Sequence, residues 1–161
     1  MIRDATYDDA AAVASIYNES IEARDSTMQL ASIAPEEVGA WLREFGDREA
    51  MLVLEEGGEV TGYGLIRRYS ARGGYRFTAE TSVYVRRSET DAGRGSRLQE
   101  ALVERCRAYD YHHLVAKLWA ENERSRALHR KFGYELVGIQ DEIGWVDGAW
   151  RDVAIMQKVI T

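Results

Sequence analysis

The chain has 161 residues, 45% apolar and 30% charged, with a net charge of −6. That length suits one domain spanning 1–161 with a real core and is short for two, and the composition is that of a folded protein, not a disordered or fibrous one. The negative charge argues against non-specific nucleic-acid binding, no apolar run approaches the ~20 residues of a membrane span, and the single cysteine, Cys106, leaves no internal disulfide or multi-cysteine metal site. Met1-Ile2-Arg3-Asp4 lacks the basic and apolar regions of a secretory signal, so the cytoplasm is the expected location.

Ile2 to Ala5 reads as a short strand, and Thr6-Tyr7-Asp8-Asp9 has capping-box spacing before a helix with Val13, Ile16, Tyr17 and Ile21 on one side. Arg24 to Ala34 has no clear period and is expected to form a substrate-side loop. A second helix starts near Pro35, with Glu36 and Glu37 suited to the positive end of its dipole and Val38, Trp41, Leu42 and Phe45 as its stripe. Met51 to Leu54 and Val60 to Ile66, joined by Glu56-Gly57-Gly58-Glu59, predict a hairpin. Phe77, Ala79, Thr81, Val83 and Val85 alternate with Thr78, Glu80, Ser82 and Tyr84 as in a long strand. Asp91-Ala92-Gly93-Arg94-Gly95 leads into a helix with Leu98, Leu102, Cys106 and Tyr109 on one side. Leu114 to Ala120 predicts a strand, Glu123 to Phe132 a helix stopped by Gly133, and Tyr134 to Ile139 and Val153 to Val159 two last strands. The order β-α-α-β-β-β-α-β-α-β-β predicts one α/β (α+β) domain with a mostly antiparallel sheet.

A strand running into a glycine loop and a helix is an anion site in waiting. The first helical N–H groups have no internal partner, the helix dipole adds positive charge, and glycine lets backbone approach a phosphate closely. Gly93-Arg94-Gly95 alone is compatible with an ordinary turn. Its surroundings are more specific. Thr78 to Val85 followed by Gly93-Arg94-Gly95-Ser96-Arg97-Leu98 resembles the acetyl-CoA motif of the GNAT acetyltransferases. Asn122 to Tyr134 resembles the second motif of that family, with its Asn-x-x-Ser-x-x-Leu-His-x-x-x-Gly-aromatic pattern. Gly148-Ala149-Trp150-Arg151-Asp152 is similar to the signature of the branch holding phosphinothricin and methionine sulfoximine acetyltransferases, and Ile16-Tyr17-Asn18 and Trp41 also fit.

The resemblance implies a splayed central strand pair holding acetyl-CoA. Val83, Tyr84 and Val85 would pair with the pantetheine arm; Asp91, Ala92, Gly93, Arg94, Gly95 and Ser96 would hold the pyrophosphate; Asn122 and Ser125 would contact the cofactor. It implies direct transfer to an amine, with no enzyme nucleophile. A base must then remove a proton, because alkylamines titrate near pH ~10. Glu80 stands at the branch's base position; otherwise it is a solvated carboxylate. His129 falls where many relatives carry a tyrosine acid, and three roles are open to it: acid, substrate ligand or core histidine. Arg72 and Arg76 would grip an acidic substrate group, or else are surface arginines, and Thr81 and Ser82 are expected to bind substrate with them. No metal is expected, and a homodimer is implied.

Four positions depart from the pattern. Thr90 and Asp91 replace residues that favour a pyrophosphate, with Arg86, Arg87, Arg94 and Arg97 available to compensate, and Ser70 and Val146 put a phosphinothricin-type substrate in question. The leading expectation is a small-molecule N-acetyltransferase; acetylation of a protein amine and a non-catalytic CoA sensor are the alternatives.

Overall fold

The computed structural model describes residues 1–89 and 93–160. Its elements are β1 (Ile2–Asp4), α1 (Ala10–Ala23), α2 (Pro35–Glu44), β2 (Ala50–Glu56), β3 (Glu59–Arg68), β4 (Thr78–Val85), α3 (Arg94–Ala108), β5 (His113–Trp119), α4 (Glu123–Lys131), β6 (Glu135–Val146) and β7 (Ala149–Val159). The capping box at the first helix forms: the Thr6 N–H donates to Asp9 Oδ2 at 2.8 Å, and Arg3 grips the same carboxylate from the other side. That hydrogen bond from Arg3 holds the Asp9 carboxyl below the usual carboxylate range. Pro35 opens α2 in the first turn, as its fixed φ and missing N–H favour.

The strands make one seven-stranded sheet in the order β1-β2-β3-β4-β5-β7-β6. Every neighbouring pair is antiparallel except β4–β5, which is parallel. Each face has its own core. Val13, Ile16 and Val38 of α1 and α2 pack on Met51, Val53 and Tyr63, whereas Leu102 and Cys106 of α3 pack on Leu52, Ile66, Ala79 and Leu114. Burial among apolar groups pushes the Cys106 thiol up to about 12, so it packs as a small apolar residue. α3 lies directly on the backbone of β3. A Cβ at Gly62 would come within 2.9 Å of Leu98 Cδ1, and one at Gly64 within 2.8 Å of Leu102 Cδ1.

The sequence reading and the structure differ in the last hairpin. β6 runs on to Val146 and β7 starts at Ala149, well beyond the expected Ile139 and Val153. Gln140-Asp141-Glu142-Ile143-Gly144 breaks the alternation because the register shifts there, and Glu142 sits at φ 54°. The strands rejoin through Asp147-Gly148, both at positive φ, as a tight two-residue hairpin turn requires. β4 begins at Thr78, leaving Phe77 exposed just outside it.

Candidate active site

The site begins where the sheet comes apart. β4 and β5 pair at only three positions, Thr78–His113, Ala79–Leu114 and Glu80–Val115. Beyond Glu80, β4 runs on to Val85 and β5 to Trp119 without pairing. The two strands therefore form a V, and the β5-side edge of β4 from 81 to 85 has no strand partner. A cavity of about 600 Å³ fills the V, with Val83, Tyr84 and Val85 on one wall and Asn122 and Ser125 on the other. An extended amide-bearing arm fits this edge as an added strand would.

Gly93, Gly95 and Ser96 close the far end of the cavity at the start of α3. Gly93 is the N-cap at φ 74°, a conformation that favours glycine. Gly95 has a second reason to lack a side chain: a Cβ there would lie 3.2 Å from Leu128 Cδ2, so it lets α4 approach α3. Thr90, Asp91 and Ala92 lie outside the described residues. The arginines named as compensators are engaged with carboxylates. Arg94 and Arg97 reach Glu56 at 2.5 and 3.2 Å, and the hydrogen bond from Arg94 pulls the Glu56 carboxyl down to about 2. Arg86 pairs with Glu19, and Arg87 binds both oxygens of Asp25 at 2.9 and 2.7 Å. Lys131 donates to Ser96 Oγ at the cavity wall.

Side chains of β4 divide between the two faces of the sheet. Ala79, Thr81 and Val83 point toward α3, where the Thr81 hydroxyl meets Tyr134 Oη at 2.8 Å. Glu80, Ser82 and Tyr84 take the α1–α2 face by the same alternation, and Tyr84 packs on Tyr63 and Tyr17. Glu80 is half-buried at the last paired position, with Lys117 Nζ 3.5 Å from its Oε1. His129 is buried on the far side of the V. Its Nδ1 lies 2.7 Å from the Ser125 carbonyl, which can only accept, so Nδ1 carries the proton and Nε2 is an acceptor with no partner among the described residues. Burial lowers its pKa, so the ring is neutral at pH 7.

Asn122 caps α4 by accepting from Ser125 N, and its Nδ2 donates to the Asp25 carbonyl. That second bond ties the segment 24–34 to the start of α4, and Ser26 of this segment lines the cavity. Further ties come from Arg87 to Asp25, Tyr17 to Thr27, Asn18 to both backbone groups of Ile33, and Arg24 to Asp147. Arg72 and Arg76 stand apart, exposed in the β3–β4 connection; Arg76 donates to the Gly73 carbonyl and lies over Phe77. The residues that sequence reasoning passed over are Lys117 and Trp119. The signal for them was present in β5, where Val115, Lys117 and Trp119 alternate with Leu114, Ala116 and Leu118, leaving one cation on an otherwise apolar outer row.

The acetyltransferase (GNAT) domain family matches residues 2–155. The chain belongs to the GNAT acetyltransferase family. It is 33% identical to an L-methionine sulfoximine/L-methionine sulfone acetyltransferase of Pseudomonas aeruginosa, over 97% of this chain and 92% of that one. Among solved structures, a GNAT superfamily phosphinothricin acetyltransferase from Sinorhizobium meliloti in complex with acetyl-CoA superimposes with a TM-score of 0.94 at 30% identity, covering 99% of this chain and 88% of that one. A ribosomal-protein-alanine N-acetyltransferase from Brucella melitensis superimposes with a TM-score of 0.95 at 34% identity, covering 99% of both chains. As a GNAT N-acetyltransferase the protein uses acetyl-CoA, and the V, its unpaired β4 edge and the Gly93–Ser96 helix start fit that cofactor. Among the described residues no group of three or more His, Cys, Asp or Glu side chains is placed to hold a metal ion.

Proposed function

We propose that the protein acetylates the amine of a small amino-acid-like acceptor, with Glu80 as general base. What supports this reading most is the position of Glu80, on the α1–α2 face at the last paired position before the strands part. Acetyl-CoA, when bound, supplies an activated acetyl thioester. The backbone of 83–85 would hold its pantetheine arm, the amides at Gly93 to Ser96 would face its pyrophosphate, and Asn122 and Ser125 would line the opposite wall. Glu80 takes the proton that an ammonium must lose before its nitrogen has a lone pair to attack with. Of the three roles open to His129, its Nδ1-protonated neutral state fits an acceptor of a substrate hydrogen bond better than an acid, because Nε2 then has no proton to give.

The name of the Pseudomonas relative supports an amino-acid-like acceptor. The similarity to the ribosomal-protein-alanine enzyme favours a second reading, in which a protein N-terminus is acetylated. The tethered 24–34 segment weighs against it, because a peptide needs an open groove. Incubation with acetyl-CoA and single acceptors, followed by mass spectrometry of the products, separates the two. N-acetyl-L-methionine sulfone or N-acetylphosphinothricin is the expected product, and acetylation of an Ala-starting peptide alone would overturn the reading. No product with any amine, alongside measurable CoA binding, would make the protein a sensor.

The outer side of the β6–β7 hairpin exposes Val137, Ile143, Trp145 and Trp150, each more than half accessible, and we read this as the contact between two copies of the chain. Light scattering at micromolar concentration is expected to give twice the monomer mass, and Trp145→Glu is expected to halve it. The buried free thiol of Cys106 is in keeping with a reducing, cytoplasmic setting.

A further inference from the structure

Beside the cofactor cavity, at the crotch of the V, is a small chamber of about 40 Å³, too small for a whole amino acid and large enough for one polar group. Ser82, Lys117 and Trp119 are among the residues that line it. Trp119 is only 4% exposed, yet its indole N–H has no hydrogen-bond acceptor among the described residues. A buried donor left without a partner is costly, and it marks a place where an acceptor atom belongs. The Arg151 guanidinium lies 5.4 Å from the centroid of the Trp119 ring. Lys117, two residues earlier on the same row of β5, spends its charge on Glu80 at 3.5 Å. Both side chains are substantially accessible, and an ion pair of that kind adds little to stability.

We propose that the Glu80–Lys117 pair, with the Trp119 indole N–H, is the recognition element for a zwitterionic α-amino acid. The inference rests on the reading of Glu80 as the residue that receives the acceptor amine. An α-amino acid brings an ammonium and a carboxylate close together, the mirror of the charges that Glu80 and Lys117 present. Its ammonium takes Lys117's place at Glu80, its carboxylate takes Glu80's place at Lys117, and every charge keeps a counter-ion. Trp119 supplies the second donor to the carboxylate, a geometry that a lone ammonium cannot fix. An amine without a carboxylate would pull Glu80 away and leave Lys117 unpaired in the cleft. Selectivity for amino acids then lies on β5, separate from Arg72 and Arg76 in the β3–β4 connection.

The test compares kcat/KM for L-methionine sulfone and for its carboxamide in the parent, Lys117→Met, Lys117→Arg and Trp119→Phe, all with acetyl-CoA. The parent is expected to prefer the acid roughly 10- to 100-fold, the worth of a charge-assisted bond. Lys117→Met is expected to bring that preference near unity through KM, Lys117→Arg to restore most of it, and Trp119→Phe to reduce it roughly 2- to 10-fold, as for one neutral donor. In parallel, ¹⁵N spectra of the CoA-loaded parent follow the four indole signals, Trp119 being assigned from its loss in Trp119→Phe. That signal is expected to move with the acid and to stay still with the carboxamide. An acid preference that survives Lys117→Met, or a Trp119 signal unmoved by saturating acid, overturns the proposal. If the parent acetylates neither compound, the functional reading fails by itself, and the indole signal alone decides the recognition element.

Discussion

The two sides of the β4–β5 split are built on different principles. On the cofactor side, geometry comes from backbone: an unpaired strand edge, a glycine at positive φ, a helix start, and a helix seated on two further glycines. Its arginines face carboxylates of the protein itself, Glu56, Glu19 and Asp25. On the side proposed for the acceptor, the features are side chains: Glu80, Lys117, Trp119 and a loop held by individual hydrogen bonds. Backbone architecture tolerates most substitutions, so a family can share it while its members change acceptors by a few residues.

The contrast can be broken most forcefully at Gly64. Valine there collides with Leu102 and is expected to cost roughly 1–3 kcal/mol, read as a lower urea midpoint at unchanged slope. His129 gives the next effect. Its pKa is lowered by burial, so the unfolded chain takes up the proton first as pH falls. The stability it contributes is complete above the ordinary value near 6.5 and is lost as pH drops from there toward its folded value. His129→Asn should therefore flatten the decline in stability between pH 7 and 5, by up to ~1.4 kcal/mol per pH unit. On the loop over the cavity, Asp25→Ala removes the two-oxygen Arg87 contact and leaves the one to Ser26. A few-fold rise in acceptor KM, worth up to ~1 kcal/mol, is expected, with CoA affinity changed less. The smallest effect is on cofactor charge. Glu56→Gln takes away one counter-ion that Arg94 and Arg97 share, and CoA should bind up to roughly twofold tighter at low salt, the gain fading at 1 M.

The cofactor side was legible in the sequence because backbone leaves marks there: alternation through Thr78 to Val85, glycines 93 and 95, and a helix stopped by Gly133. Even so, Gly95 reads as a phosphate residue in the sequence and also serves helix packing, a three-dimensional demand that no local pattern carries. The arginines after β4 read as compensating charge, but their carboxylate partners come from Glu19, Asp25 and Glu56, far away in the chain. The β6–β7 extension was hidden because bulges cancel the period of two that betrays a strand. The acceptor side was less legible still. Glu80 and Lys117 lie 37 residues apart, 117 − 80, and only the parallel β4–β5 register brings them together.

Deprotonation of the acceptor amine by Glu80 is tested most directly by the pH profile of Glu80→Gln. With acetyl-CoA and L-methionine sulfone, thiol release by Glu80→Gln at pH 7 is expected to fall about 100-fold or more below the parent. The deficit should shrink steadily toward pH 10, where solvent supplies the neutral amine. A variant that matches the parent at pH 7, or whose deficit is the same at every pH, would contradict the assignment.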